Sequence, residues 1–180
     1  MKSKQIDIVK TIAIVFAALQ LLFILILFNW ERRSSFDYPD QMPEDFNFKI
    51  EIGVGNKRIY KIDTFRNTFT SSMDFENDTT IEFQFLLIEK KKIYKIIKDI
   101  DVFIYPENYS PTTTIQILPA YSYYFESTLN GDTIKINWEE NTYSDTKESK
   151  NLMKLFNVIF ENAIEDEKVK KLPESKIYRL

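Results

Sequence analysis

An apolar run near the start of the chain restricts its fold more than any other feature of the sequence. Between Thr11 and Trp30 the only polar residues are Thr11, Gln20 and Asn29, and the run contains no Pro or Gly. Twenty helical residues at about 1.5 Å each span about 30 Å, the thickness of the hydrocarbon core of a bilayer. The run therefore predicts a transmembrane helix from Thr11 to Trp30.

A cleaved signal peptide is the alternative interpretation of this run. Such a peptide has an apolar centre of roughly 7–15 residues followed by a small-residue cleavage site. Here the apolar residues continue to Phe28 and are followed by Asn29, Trp30 and Glu31, without a small-residue site. The chain also has no Cys, which argues against lipoprotein processing. The pattern favours an uncleaved anchor.

The charges on either side of the run predict its orientation. Three lysines precede it, and acidic residues outnumber the two arginines that follow it. Lys and Arg accumulate on the cytoplasmic side of membrane helices. We therefore expect a cytoplasmic tail at residues 1–10, a single-pass anchor in the cell membrane, and an extracytoplasmic location for the rest of the chain.

A stripe of small and amide side chains in the run predicts weak self-association of the anchor. Ala13, Ala17 and Gln20 fall at i, i+4 and i+7, on one side of a helix. Small residues let two helices approach closely, and Gln gains a bond to its partner in hydrocarbon. The alternative to such a homodimer is a single Gln that is tolerated within an apolar segment.

Residues 31–45 are predicted to be an extended linker. The segment ERRSSFDYPDQMPED contains two Pro, two Ser and several charges, with no sustained hydrophobic period, which is typical of linkers. One domain is predicted at residues 46–180, a length sufficient for a single hydrophobic core. With no Cys for disulfides, this domain depends on that core, and the chain has 15 Phe and 10 Tyr to fill it.

Hydrophobic periodicity predicts an α+β fold for the domain. FNFKIEIGV, KRIYKIDTF, residues 67–73 and TTIEFQF suggest strands, and YSYYFESTL and DTIKINW flank the type I′ turn signal Asn130–Gly131. Apolar residues at helical spacing predict one helix in LLIEKKKIYKIIKDI and a second that begins near Asp145 and ends before Pro173. We expect an antiparallel sheet of about five to six strands with both helices on one face.

Four segments of the domain carry a resemblance to a known family. They are DTF at 63–65, DTTIEF at 78–83, KKKIYKIIKDIDVFIYPENY at 90–109 and KKLP at 170–173. These segments resemble small, uncharacterised membrane-anchored or lipoprotein extracytoplasmic domains of Gram-positive bacteria, over roughly residues 46–178. Such relatives begin the first helix with a Thr or Ser cap followed by acids, where this chain has Leu87, Ile88 and Glu89. The resemblance implies location and fold, and no activity, substrate or site residue.

The residue types that the chain lacks exclude most catalytic chemistry. There is no His, no Cys and only three Gly, so His-based triads, Cys nucleophiles, ordinary zinc sites and glycine-rich phosphate loops cannot be built. The net charge of −3 disfavours nucleic acid as a partner. We predict a non-enzyme without a cofactor. The alternative is a carboxylate-dependent hydrolase of cell-envelope polymers, with candidates at Glu139, Glu140 and Asp145.

A candidate metal site lies at Asp74, Glu76 and Asp78. Their spacing of two matches the first half of a calcium loop. However, Thr79 and Phe85 occupy the positions where that loop has Gly and Glu. An acidic turn between strands, in which Asn and Asp bond their own backbone, is the alternative interpretation.

Two further sets of residues are candidates for surface binding. Lys91, Lys95 and Lys98 form a stripe opposite the isoleucine face of the first helix, suited to anionic lipid headgroups or wall polymers; a solvated helix face is the alternative. Tyr124 faces away from its aromatic neighbours in YSYYF and is the candidate stacking residue. We expect a non-enzymatic binding or accessory module whose partners are the membrane bilayer and an unknown protein or cell-envelope component. The alternative is a structural subunit of a larger membrane complex.

Overall fold

The computed structural model describes residues 15–23, 36–55, 57–74, 76–111, 120–140, 146–173, 175 and 177. The chain divides into two units, Met1–Asp37 and Tyr38–Leu180. In the first unit, residues 15–23 are helical and their side chains are exposed; this helix is α1. Ala17 and Gln20 of the predicted self-association stripe belong to it, whereas Ala13 lies outside the described residues. The homodimer stays a prediction.

The structure contradicts the predicted single-pass membrane anchor. Across the part of the chain that is described, no helix combines the length and the apolar character needed to cross a membrane. Residues 11–14 and 24–30 of the predicted span lie outside the described residues. The predicted cell-membrane localisation, with a cytoplasmic N-terminus and an extracytoplasmic domain, rested on this anchor and is corrected with it.

The second unit is built on one mixed sheet. Its strands are β1 (Asn47–Val54), β2 (Lys57–Asp63), β3 (Thr68–Ser72), β4 (Asp78–Glu82), β5 (Asn108–Tyr109), β6 (Tyr121–Leu129) and β7 (Asp132–Glu140). They lie in the order β4-β3-β2-β1-β6-β7-β5. All neighbours pair antiparallel except β5 and β7, which are parallel. The prediction of an antiparallel sheet with five to six strands is therefore wrong: among the described residues the sheet has seven strands, and one pairing is parallel.

In the described part of this unit three helices accompany the sheet: α2 (Leu87–Asp99), α3 (Lys147–Ile164) and α4 (Glu167–Lys170), with a 3-10 turn at Val102–Ile104. The unit is α+β as predicted, but with three helices instead of two, because the single turn of α4 is too short to show a period. Helix α3 begins at Lys147, two residues after the predicted start near Asp145. Its N-cap is Thr146, whose hydroxyl accepts the backbone N–H of Ser149 at 3.1 Å. That bond satisfies one of the free N–H groups at the helix start.

One face of the sheet carries the hydrophobic core. In β1, Phe48, Ile50 and Ile52 are buried and alternate with half-buried polar residues, as a strand with one covered face requires. Helix α3 packs on this face through Phe156, whose ring centroid lies 5.0 Å from that of Tyr123 on β6. Helices α2 and α3 also contact each other.

Two tight turns fix the register of the central strands. Gly55, between β1 and β2, has a φ of 56°, and Asn130 and Gly131, between β6 and β7, have φ of 51° and 81°. Positive φ at both central residues is the requirement of a type I′ turn. The turn predicted at Asn130–Gly131 is confirmed.

A bulge in β1 leaves no room for a side chain at Gly53. The pairing with β2 shifts between Ile52 and Gly53, and a Cβ at residue 53 would clash with the carbonyl oxygen of Lys57. We expect Gly53→Ala to lower the free energy of unfolding by about 1–3 kcal/mol because the backbone must move. Urea denaturation measures this. Glu82→Ala at an exposed position of β4 is the control, with a change of less than about 0.5 kcal/mol. If the two variants unfolded at the same urea concentration, the expected clash at residue 53 would be contradicted.

Candidate functional site

Residues 38–45, which lie inside the predicted linker, pack against the domain; we call them the strap. The Tyr94 hydroxyl on α2 donates to the carbonyl oxygen of Pro39 at 2.5 Å. The Lys98 ammonium donates to the same carbonyl at 3.3 Å and pairs with Asp40 at 3.3 Å. The C-terminal half of α2 therefore holds the beginning of the strap.

The strap is fixed at two further points. The ring of Tyr38 packs edge-on against Phe103, with 5.9 Å between centroids, and burial raises the pKa of the Tyr38 hydroxyl. At the other end, the Asp45 carboxylate accepts the backbone N–H groups of Asn130 and Gly131 at 3.0 and 2.7 Å. The strap thus joins α2 to the turn between β6 and β7.

A groove of about 1070 Å³ runs between the strap and α2; we call it the lysine groove. Its strap side consists of residues 40–44, and Phe46 contributes an apolar surface. The α2 side is a stripe at helical spacing, formed by Leu87, Lys90, Lys91, Tyr94, Lys95, Lys98 and Asp99. The structure therefore places the predicted lysine stripe on one wall of a concave surface.

The four lysines of the groove differ in their availability. Lys90 donates to the carbonyl oxygen of Phe46 at 2.9 Å, and burial lowers its pKa. Lys98 bonds to the strap. Lys91 and Lys95 are exposed, and within the described chain neither has a hydrogen bond or ion pair. Two ammonium groups on this wall are thus available for a ligand.

The opposite face of the sheet carries Tyr124 in a polar ladder that crosses all seven strands. Cross-strand pairing aligns Thr80, Thr70, Lys61, Glu51, Tyr124, Asn137 and Asn108. The Lys49 ammonium lies 4.7 Å from the centroid of the Tyr124 ring. The Tyr124 hydroxyl donates to Glu126 at 2.7 Å. Burial and this bond raise the pKa of Tyr124. Its ring and its hydroxyl are both engaged with neighbouring side chains.

Two of the candidate metal residues, Asp74 and Asp78, accept hydrogen bonds from other groups of the chain. The Asp74 carboxylate accepts the backbone N–H groups of Glu76 and Asn77, both at 2.9 Å. Asp78 instead accepts the Ser72 hydroxyl at 2.6 Å. Among the described residues, no group of three or more His, Cys, Asp or Glu side chains is placed to hold a metal ion. The acidic turn accounts for these two contacts of Asp74.

The candidate residues for a hydrolase are only partly described. Glu139 is exposed on β7, opposite Ser122 of β6. The side chain of Glu140, and all of Asp145, lie outside the described residues. No two carboxylates of this set can be placed together from the described part of the chain.

The α2 wall of the groove could be predicted from the sequence, whereas the strap wall could not. Lys91, Lys95 and Lys98 are readable from helical spacing, whereas the strap has the composition of a linker. Apart from two Pro, its only bulky apolar side chains are Tyr38 and Met42. These two residues are the sole local signal that the segment packs against the domain.

Comparisons with known proteins add no family. No family model matches the chain, and no curated protein sequence matches it. The resemblance to small Gram-positive domains therefore stays a prediction. Any proposal for the function depends on the geometry of the chain's own residues.

Proposed function

We propose that the domain is a non-enzymatic binding module that takes up an acidic segment of a partner protein in the lysine groove. The observation that carries the proposal is the pair of exposed ammonium groups of Lys91 and Lys95, which have no partner in the described chain and line a groove of about 1070 Å³. Exposed cations on a concave wall attract carboxylates and fix their position.

The spacing of the two lysines suits an extended peptide. Lys91 and Lys95 are four residues apart on α2, which corresponds to a rise of about 6 Å. In an extended chain, side chains on alternate residues point the same way and lie roughly 6.6 Å apart. Two acids separated by one residue therefore match the two ammonium groups.

Charge alone gives such a complex modest affinity. Each exposed ion pair contributes about 0.2–1 kcal/mol, and Glu44 and Asp99 also line the groove and repel an acidic ligand. Salt screens exposed charges over about 8–10 Å at physiological ionic strength. We expect weak, salt-sensitive binding to which backbone and apolar contacts must also contribute.

Removal of both free ammonium groups is expected to weaken binding. With a fluorescein-labelled peptide that carries Glu at alternate positions, Lys91→Ala/Lys95→Ala should raise the dissociation constant by about 2- to 30-fold. Fluorescence anisotropy of the full chain measures it. Lys92→Ala is the matched control, because Lys92 is exposed on α2 but does not line the groove. If the double variant and Lys92→Ala bind alike, the groove is not the site.

The same titration separates this proposal from a structural-subunit role. A binding module captures the peptide as an isolated chain, and the affinity falls as salt is raised. A chain that serves only as a structural subunit shows no saturable, lysine-dependent binding of any acidic peptide.

A further inference from the structure

The start of α2 exposes three consecutive large aliphatic side chains. Leu86, Leu87 and Ile88 are 65%, 61% and 59% exposed, although Leu and Ile are among the residues most often buried. Their side chains are not needed to begin the helix, because the backbone N–H of Leu86 is satisfied by the Glu89 carboxylate at 2.7 Å. Adjacent exposed aliphatic residues mark interaction surfaces when they form one patch.

Only one of the three belongs to the lysine groove. Leu87 lines it, whereas Leu86 and Ile88 do not. Leu87 stands four residues before Lys91 and eight before Lys95, so these three side chains share one helix face. The groove wall is therefore apolar at the start of α2 and cationic further along.

We infer that Leu87 is the apolar contact of this site, and that the acidic segment of the partner protein carries a bulky apolar side chain two residues away from its first acid. This inference rests on the proposed function and specifies its ligand. The rise from Leu87 to Lys91 is about 6 Å, like that from Lys91 to Lys95. An extended segment that has an apolar residue, an acid and a second acid at alternate positions can therefore contact Leu87, Lys91 and Lys95 in that order.

The shape of the site favours a peptide over a flat anionic surface. Strap residues 40–44 form the wall that faces Leu87, Lys91 and Lys95, and a narrow chain can enter between the two walls. A lipid surface would contact Ile88 as readily as Leu87, since the two side chains are about equally exposed. Substitution of each aliphatic residue in turn therefore distinguishes the two occupants.

The test uses two peptides and a matched pair of variants in the full chain. One peptide reads Leu-Ser-Glu-Ser-Glu, and the other has Ser in place of Leu; each is made in both chain directions. Measured by anisotropy, and with each peptide in its better-binding chain direction, the Leu peptide should bind the wild-type chain about 5- to 10-fold more tightly than the Ser peptide does. Leu87→Ser should abolish this preference and Ile88→Ser should preserve it. Both sites are exposed, so circular dichroism should show intact folds.

Each other outcome refutes a defined part of the argument. Lysine-dependent binding of both peptides without a preference for Leu overturns the apolar contact and leaves the proposed function standing. Equal loss of preference in Leu87→Ser and Ile88→Ser also overturns it. If neither peptide binds, both the apolar contact and the proposed function are overturned. The chain can also be sedimented with vesicles of phosphatidylcholine and phosphatidylserine. If it binds them, and if Leu87→Ser and Ile88→Ser reduce this binding equally, the ligand is a lipid surface and the peptide proposal is overturned.

Discussion

Phe156→Ala is expected to lower the free energy of unfolding by about 3–5 kcal/mol, the largest effect of any substitution considered for this chain. Phe156 is 2% exposed, and its ring centroid lies 5.0 Å from Tyr123, 6.0 Å from Trp138 and 6.4 Å from Phe125. Each such aromatic pair contributes about 0.5–1.5 kcal/mol beyond buried area. The cavity left by Ala lies where α3 meets β6 and β7. Urea denaturation followed by circular dichroism measures the loss.

Lys154→Ala provides the control for this substitution. Lys154 is exposed on the same helix, so its loss should change the free energy of unfolding by less than about 0.5 kcal/mol. If Phe156→Ala lowered the free energy of unfolding by no more than Lys154→Ala does, Phe156 would not be buried between α3 and the sheet as described.

Ile97→Ala is expected to have the second largest effect, a loss of about 2–5 kcal/mol. Helical periodicity predicts Ile97 on the buried face of α2, and the structure shows it 0% exposed. Lys95→Ala, on the exposed face of the same helix, should change stability by less than about 0.5 kcal/mol. Equal midpoints would mean that the two faces of α2 are misassigned. A stable Lys95→Ala variant also ensures that a loss of peptide binding reflects lost charge.

Much of this fold could be predicted because its signals are local. The alternation in β1 is a property of eight consecutive residues, and the Asn130–Gly131 turn is a property of two. The isoleucines of α2 repeat within thirteen residues. In each case the structure is determined by residues that are close together in the sequence, so the local pattern predicts it correctly.

Strand β5 and the strap could not be predicted because they depend on partners distant in the sequence. Strand β5 has two residues and exists only through its parallel pairing with β7, which no local pattern can indicate. The strap behaves likewise, because its composition suggests a linker and only its bonds to α2 and to the β6–β7 turn fix it in place. The long apolar run suggested an anchor by composition alone, and in the described part of the chain no helix is both long and apolar enough for that role.

In the candidate site, too, the local features could be predicted and the features that depend on distant segments could not. The lysine stripe is periodic and could be predicted, but which ammonium groups remain free could not, because Lys90 and Lys98 are engaged by the backbone of distant segments. In the sequence, Leu87 shows only that the polar residues typical of a helix start are replaced. Its place in the groove became visible only with the opposite wall.

The two bonds from Asp45 have a consequence for the order of folding. They join residues 85 and 86 positions apart in the chain, so they close a long loop whose entropic cost precedes any gain. Their donors converge only after the β6–β7 hairpin has formed its turn. We therefore expect the Asp45 end of the strap to be fixed only after the β6–β7 turn has formed. The bonds from Tyr94 and Lys98 hold the other end and need only α2, so the groove wall formed by the strap would be completed from its α2 end towards Asp45.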